Sequence, residues 1–167
     1  GAAVEAFTMA LDLAPDIDLY PKTEAVEQDP TAIANRYSAP SRILEGQRLI
    51  KEEQVQKAIK TYQIAEKLDP DLEITDQDWD TLCWFGSLYG QARAVRFACE
   101  QEAVLEPTAD SSLDSRGIIQ ALDGDLEGAI NRFQAYADWS QSEDRKVQAL
   151  AWVEALKAGK NPFIDED

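Results

Sequence analysis

The chain has no histidine, two cysteines, one methionine, and 16 Lys+Arg against 32 Asp+Glu among 167 residues. Each shortage excludes something. Without histidine, the usual general base and the commonest metal ligand are missing. No serine stands in a Gly-x-Ser-x-Gly turn and no glycine-rich phosphate loop occurs, so the apparatus of acyl and phosphoryl transfer is absent. Carboxylate pairs are too frequent for any one to be informative. No enzymatic activity, no cofactor and no metal site are expected. Two cysteines do not make a disulfide scaffold, and a reducing cytoplasm is the expected setting. Nucleic acid and anionic membrane need clustered Lys and Arg, so neither is an expected partner at a net charge of -16. Apolar runs are only a few residues long, too short to span a bilayer. Gly1-Ala2-Ala3-Val4-Glu5 has neither the basic region nor the apolar stretch of a secretory leader, so none is expected.

What is present is a chain with 44% hydrophobic residues, enough to bury a core. They recur at helical period. Over 55–67, Val55, Ala58, Ile59, Tyr62, Ile64 and Ala65 form one stripe, and over 126–139 Leu126, Ala129, Ile130, Phe133, Tyr136 and Ala137 form another. No segment alternates over a strand's length. The predicted class is all-α. Acids crowd 71–80 as Asp71, Glu73, Asp76, Asp78 and Asp80, which suits loops and helix starts.

One spacing recurs. An alanine is followed four residues on by an aromatic, three further by an alanine and five further by a proline. Ala3, Phe7, Ala10 and Pro15 match it, as do Ala58, Tyr62, Ala65 and Pro70. Ala129 and Phe133 match in part, after the turn Gly124-Asp125. Gly46 and Gly117 precede their alanines at one offset, and Gly86 begins a unit ending at Pro107. Small residues let antiparallel helices approach, the aromatic fills the groove between them, and proline ends the second helix.

This pattern resembles the tetratricopeptide repeat, a helix-turn-helix unit of about 34 residues stacked into a superhelix. The resemblance implies an α-solenoid with units over 1–15 (incomplete), 38–70, 76–107 and 110–140, closed by a capping helix over 141–158. The strings Thr81-Leu82-Cys83-Trp84-Phe85-Gly86-Ser87-Leu88, Asp114-Ser115-Arg116-Gly117 and Asn161-Pro162-Phe163 look like the repeat arrays of bacterial signalling proteins that carry STAND-type NTPase, WD-repeat or caspase-like modules. That likeness implies a fragment of a larger chain. So does the register, since residue 1 falls inside the second helix of its unit. Proline positions predict short helices at 22–29 and 31–37, then a long one over 40–52. Thr75 with Asp78, and Ser140 with Glu143, are the expected caps.

In such arrays the first helices line a concave face. The resemblance places Ile43, Gln47, Ile50, Asp80, Cys83, Ser87, Asp114, Ile118 and Ala121 there, with Trp79 as a further groove candidate. The Lys and Asn by which chaperone-binding members hold a peptide carboxylate are lacking, so the implied partner is a neutral or basic peptide or helix. The expected function is therefore a non-catalytic scaffold that binds a protein or packs on other modules of its own polypeptide. The alternatives are a structural spacer or self-association module, with a weak homodimer through the stripe Val4, Phe7, Ala10 and Leu11, and a small-molecule or cation sensor. Asp123-Gly124-Asp125 imitates the start of an EF-hand loop, but Gln134 occupies the twelfth place, so a repeat turn explains it better. Cys83 and Cys99 fall on neighbouring predicted helices, near enough to oxidise, and are read as small buried hydrophobes.

Overall fold

The computed structural model describes residues 1–21 and 28–164. Among them every regular element is helical: α1 (Ala2–Leu13), α2 (Pro30–Lys51), α3 (Val55–Leu68), α4 (Asp76–Leu88), α5 (Ala92–Leu105), α6 (Leu113–Leu122), α7 (Leu126–Trp139) and α8 (Glu143–Lys157), with one 3-10 turn at Asp110–Ser112. From α4 onward each helix packs on the next in sequence, as expected of stacked hairpins. The all-α class is what the structure shows.

Helix boundaries follow local chemistry. Thr75 and Asp78 form the expected capping box of α4: the Asp78 amide donates to Thr75 Oγ1 and the Thr75 amide to Asp78 Oδ2. Elsewhere the structure corrects the sequence reading. Residues 30–51 form one helix, not two. Asp29 accepts from the amides of Thr31 and Ala32, and Pro30 sits at the first helical position, where its missing N–H costs nothing. Pro40 lies on the exposed side, and Ser38 and Ser41 hydroxyls bond nearby carbonyls. The helix expected over 22–29 lies mostly outside the described residues. The last helix starts at Glu143, because Ser142, and not Ser140, accepts the Arg145 amide.

The hairpins share a turn. Gln54, Gln91, Asp125 and Lys160 each donate an amide hydrogen bond of 2.9 Å to the carbonyl five residues back. The residue before each donor has positive φ: Glu53, Gly90, Gly124 and Gly159, spaced 37, 34 and 35 residues apart. This is a Schellman end, where an αL residue satisfies otherwise orphaned carbonyls. Helices α2, α4, α6 and α8 therefore occupy equivalent places. α8, expected as a cap without repeat character, ends as the first helix of a further hairpin, and the chain then folds back. Phe163 is buried and stacks 5.6 Å from Phe133, while Asn161 donates to the Ala121 carbonyl.

Counting from these turns corrects the register of the α4–α5 hairpin. Gly46 and Gly117 align with Cys83, not with Gly86, and Tyr62 and Phe133 align with Cys99. A Cβ added to Gly117 would lie 2.9 Å from the Phe133 ring, so glycine there makes room for the aromatic. In α4–α5 both members of that pair are replaced, and Cys83 and Cys99 form a disulfide with Cα atoms 4.9 Å apart. The reading of these cysteines as free hydrophobes is thereby corrected, and the cysteine argument for a reducing compartment falls with it. Bridging a separation of 16 residues restricts the unfolded chain by about 3 kcal/mol. A second exchange compensates in volume. Val95 stands where the other hairpins have Ala58 and Ala129, and Gly86 stands where they have Leu49 and Gln120.

By contact the chain divides into two compact bodies, 1–46 with 60–73, and 47–59 with 74–167. In the first, Phe7 of α1 stacks on Tyr37 at 5.6 Å, and buried Asp69 accepts from Tyr20 and pairs with Arg36 at 2.8 Å. Helix α1 buries none of its residues. Val4, Phe7, Ala10 and Leu11 are half-buried, and Met9 and Leu13 are 64% and 85% exposed. The second body has a core of Trp79, Leu82, Trp84, Val95, Ile118, Phe133, Tyr136, Trp152 and Val153. Among the described residues no helix is long and apolar enough to cross a membrane.

The volume exchange can be tested. A Cβ at Gly86 would lie 2.4 Å from a Val95 methyl carbon. Gly86→Ala is expected to cost roughly 1–3 kcal/mol by overpacking, and adding Val95→Ala is expected to restore much of it. Urea unfolding of the single and double variants measures this, and additive losses would show that the two sites do not compensate.

Candidate functional site

Polar chemistry gathers in the interior of the second body. Asp80 and Asp114 occupy the same repeat position, on α4 and α6, where α2 has Ile43. Glu102 on α5 takes the place of Ala65 and Tyr136. The repeat thus directs three carboxyl side chains into positions that elsewhere hold apolar or aromatic groups. All three are buried, at 6%, 2% and 1% exposure for Asp80, Glu102 and Asp114. Their carboxylate oxygens lie within 4.8 Å of one another. At that range two unit charges repel by roughly 3–4 kcal/mol in an effective dielectric near 20.

Arg145, in the first turn of α8, offsets much of this. Its Nη1 and Nη2 donate to Asp80 Oδ1 and Oδ2, both at 2.7 Å, in a bidentate pair. Nη1 also donates to Tyr136 Oη at 3.1 Å and lies 3.6 Å from Asp114 Oδ2. The guanidinium sits 4.5 Å from the Trp84 ring centre, a cation–π contact. Burial alone would lower the Arg145 pKa, but the Asp80 bonds outweigh it and the net shift is upward. Gln77 supports Asp80 from one helical turn back, at 2.9 Å.

The other two carboxyls have less support. Glu102 accepts from the Ser115 hydroxyl, and Asp114 Oδ1 accepts from the Ser115 amide at 2.9 Å. Burial first, then the neighbouring Asp114 and Asp80, push Glu102 up to about 9. Burial and Asp80 push Asp114 up to about 8, against the pull of Arg145. Tyr136 is raised to about 12 by burial and Asp114.

The three acids converge closely enough to surround a cation, but the guanidinium of Arg145 already supplies that charge. We read Asp80 as its counter-charge, and the three acids as a hydrogen-bonded group around Arg145 and not as metal ligands. Ser115 and Glu102 are hydrogen-bonded as a nucleophile and base would be. Both are almost wholly buried, however, and the upward shift of Glu102 favours its protonated form, which is no base.

Two cavities flank Arg145. One of about 250 Å³ is lined by Asp76, Gln77, Asp80, Glu102, Ser111, Trp139 and Arg145. The other, of about 410 Å³, is bounded by Trp84, Phe85, Leu88, Ser142, Asp144, Arg145 and Gln148.

The groove expected from sequence is largely interior. Ile43, Ile50, Trp79, Ser87, Asp114 and Ile118 are buried, as are Cys83 and Ala121. This corrects their place on an accessible face, and the physical reason is that neighbouring elements within each body pack over these positions. Trp79, left open between pocket and core, is core, edge-on to Phe97 at 6.0 Å. Gln47 is half-buried and donates to Asp78. Of the candidates, Asp80 lines a cavity, and the fold brings Asp80 and Asp114 together. Sequence reasoning missed Glu102, Ser115, Tyr136 and Arg145. An acid in the small-residue place of α5 is the signal that points to Glu102, and nothing local points to Arg145. Comparison with protein-family models, with curated proteins and with solved structures yields no match.

Removing one partner of a buried ion pair strands the other. Arg145→Ala is expected to destabilise by roughly 3–5 kcal/mol, while Arg42→Ala, which breaks an exposed pair on α2, is expected to cost under about 1 kcal/mol. Urea unfolding at neutral pH compares the two, and equal losses would deny Arg145 its central place.

Proposed function

We propose that the chain is a non-catalytic interaction module built of tetratricopeptide-like helical hairpins, and that it holds a protein or peptide partner by a basic side chain. The recurrent Schellman ends at 37, 34 and 35 residues support the repeat reading. The observation that carries the partner chemistry is the cavity of about 250 Å³ with Asp76, Asp80 and Glu102 in its wall beside Trp139, which is 44% exposed. Arg145 is met by Asp80 and Glu102 holds a proton, so Asp76 is the acid that faces an incoming cation, and the Trp139 indole offers its face to a guanidinium or ammonium. The chain's net charge of -16 steers basic partners toward it. The absence of histidine and the burial of Ser115 favour binding over catalysis.

The test is a peptide array in which each neutral peptide is printed with one Arg, one Lys or one Gln at its centre. Hits are then measured by fluorescence anisotropy. Arg or Lys peptides are expected to bind at least tenfold tighter than their Gln counterparts, about 1.4 kcal/mol, and Asp76→Asn combined with Trp139→Ala is expected to abolish the difference. Equal binding of charged and neutral peptides overturns the reading.

A further inference from the structure

We infer that Asp80, Glu102, Asp114 and Arg145 form a proton-operated lock: the fold closes with Glu102 and Asp114 uncharged, and alkalisation weakens it by ionising them. The inference concerns the protein alone and does not depend on any partner.

The geometry carries it. Three buried carboxyls share one guanidinium, which is already committed to Asp80 through both nitrogens. Each packed element can be searched for a second cation. Helix α4 contributes Asp76 and Asp80, and α5 contributes Glu102, all acids. Helix α6 contributes Asp114 and Arg116; the Arg116 charge reaches Glu102 and Asp114 through space, but its N–H groups bond the carbonyls of Ser112, Pro107 and Ala109 and so close the 107–112 loop. The 3-10 turn offers Asp110, which faces Arg116. Helix α7 offers Tyr136, a neutral phenol here, and Arg132, which faces Arg116. Helix α8 offers Arg145, with Asp144 beside it in the second cavity, while Lys146 pairs with Glu143. With all three acids ionised, two negative charges would stand without a directly bonded cation on side chains that are almost wholly buried. A proton on each of Glu102 and Asp114 removes them, and the raised proton affinities of both groups agree.

The sign follows. In the unfolded chain both groups ionise at about pH 4. In the fold they keep their protons to between about 8 and about 9. The stability they contribute is full below the unfolded value, falls as pH rises, and is lost once pH passes the folded values. Each retained proton lowers the folding equilibrium constant about tenfold per pH unit across that window. This is the reverse of an ordinary salt-bridged carboxylate.

Glu102→Gln reproduces the neutral side chain in nearly the same shape and keeps an acceptor for Ser115. Urea unfolding of wild type and variant between pH 6 and 10 tests the lock. The ratio of their folding constants is expected to rise in favour of the variant by about tenfold per unit from pH 6 to 8 and to level off above about 9. Effects of acids remote from the cluster are common to both proteins and cancel in the ratio. A ratio that does not change with pH overturns the inference. Asp114→Asn gives an independent ratio, and the side-chain carboxyl 13C resonances of unsubstituted protein give the answer without mutation. Two resonances with midpoints between about 8 and about 9 are expected, and titration of every carboxyl near pH 4 overturns the inference.

Discussion

A single guanidinium governs the interior of the larger body. Arg145 reaches in from the first turn of α8 and binds Asp80 of α4, touches Tyr136 of α7, faces Asp114 of α6 and lies on Trp84 of α4. Glu102 of α5 completes the group through Ser115. Five helices thus depend on one charge, because a carboxylate taken from water without a partner is among the costliest things a fold can bury. The aromatic cluster around the site sets the same geometry from the apolar side. Trp152 of α8 lies 4.8 Å from Trp84 and 5.2 Å from Phe133, so the helix that delivers Arg145 is held by ring packing as well.

Each hairpin solves one packing problem with different residues. Where α6 meets α7, a glycine admits Phe133. Where α4 meets α5, the equivalent pair is the Cys83–Cys99 bridge, and one helical turn further on a valine in an alanine's place is matched by Gly86 in the place of a larger residue. The turn geometry is kept through these exchanges. Glu53 adopts the positive φ that glycine supplies at the other three turns, although a side chain there is strained, so hairpin closure dominates over local preference.

A repeat that keeps its turns and exchanges its core is also free to exchange function. The apolar position held by Ile43 in α2 becomes Asp80 and then Asp114 in the following first helices, and Ala65 becomes Glu102. Those changes put charge where stacked hairpins ordinarily put hydrocarbon. They leave a cavity with acids and Trp139 in its wall, next to a buried network of carboxyl groups. The proposed binding and proton chemistry of this chain thus rest on one departure from repeat packing.

Sequence alone determined the helical class, the extents of α1, α3 and α7, the box at Thr75 and Asp78, and the hairpin period. These are local properties: a 3.6-residue stripe, a cap and an αL turn are specified by residues within a few places of one another. The register of α4–α5 was misjudged, because Gly86 offers the same local signal as Gly46 and Gly117, and only the turn at Gly90 distinguishes them. Pro40 inside α2 was misjudged because its tolerance depends on facing solvent. The site was beyond local reading for the same reason on a larger scale. Asp80 and Arg145 are 65 residues apart, and Glu102 and Ser115 are 13 apart on different helices. In a chain with 32 acids, one more Asp or Glu says nothing of its neighbours. Tertiary packing decided which carboxyls leave water and which one receives the Arg145 guanidinium, because both depend on side chains brought together from distant parts of the chain.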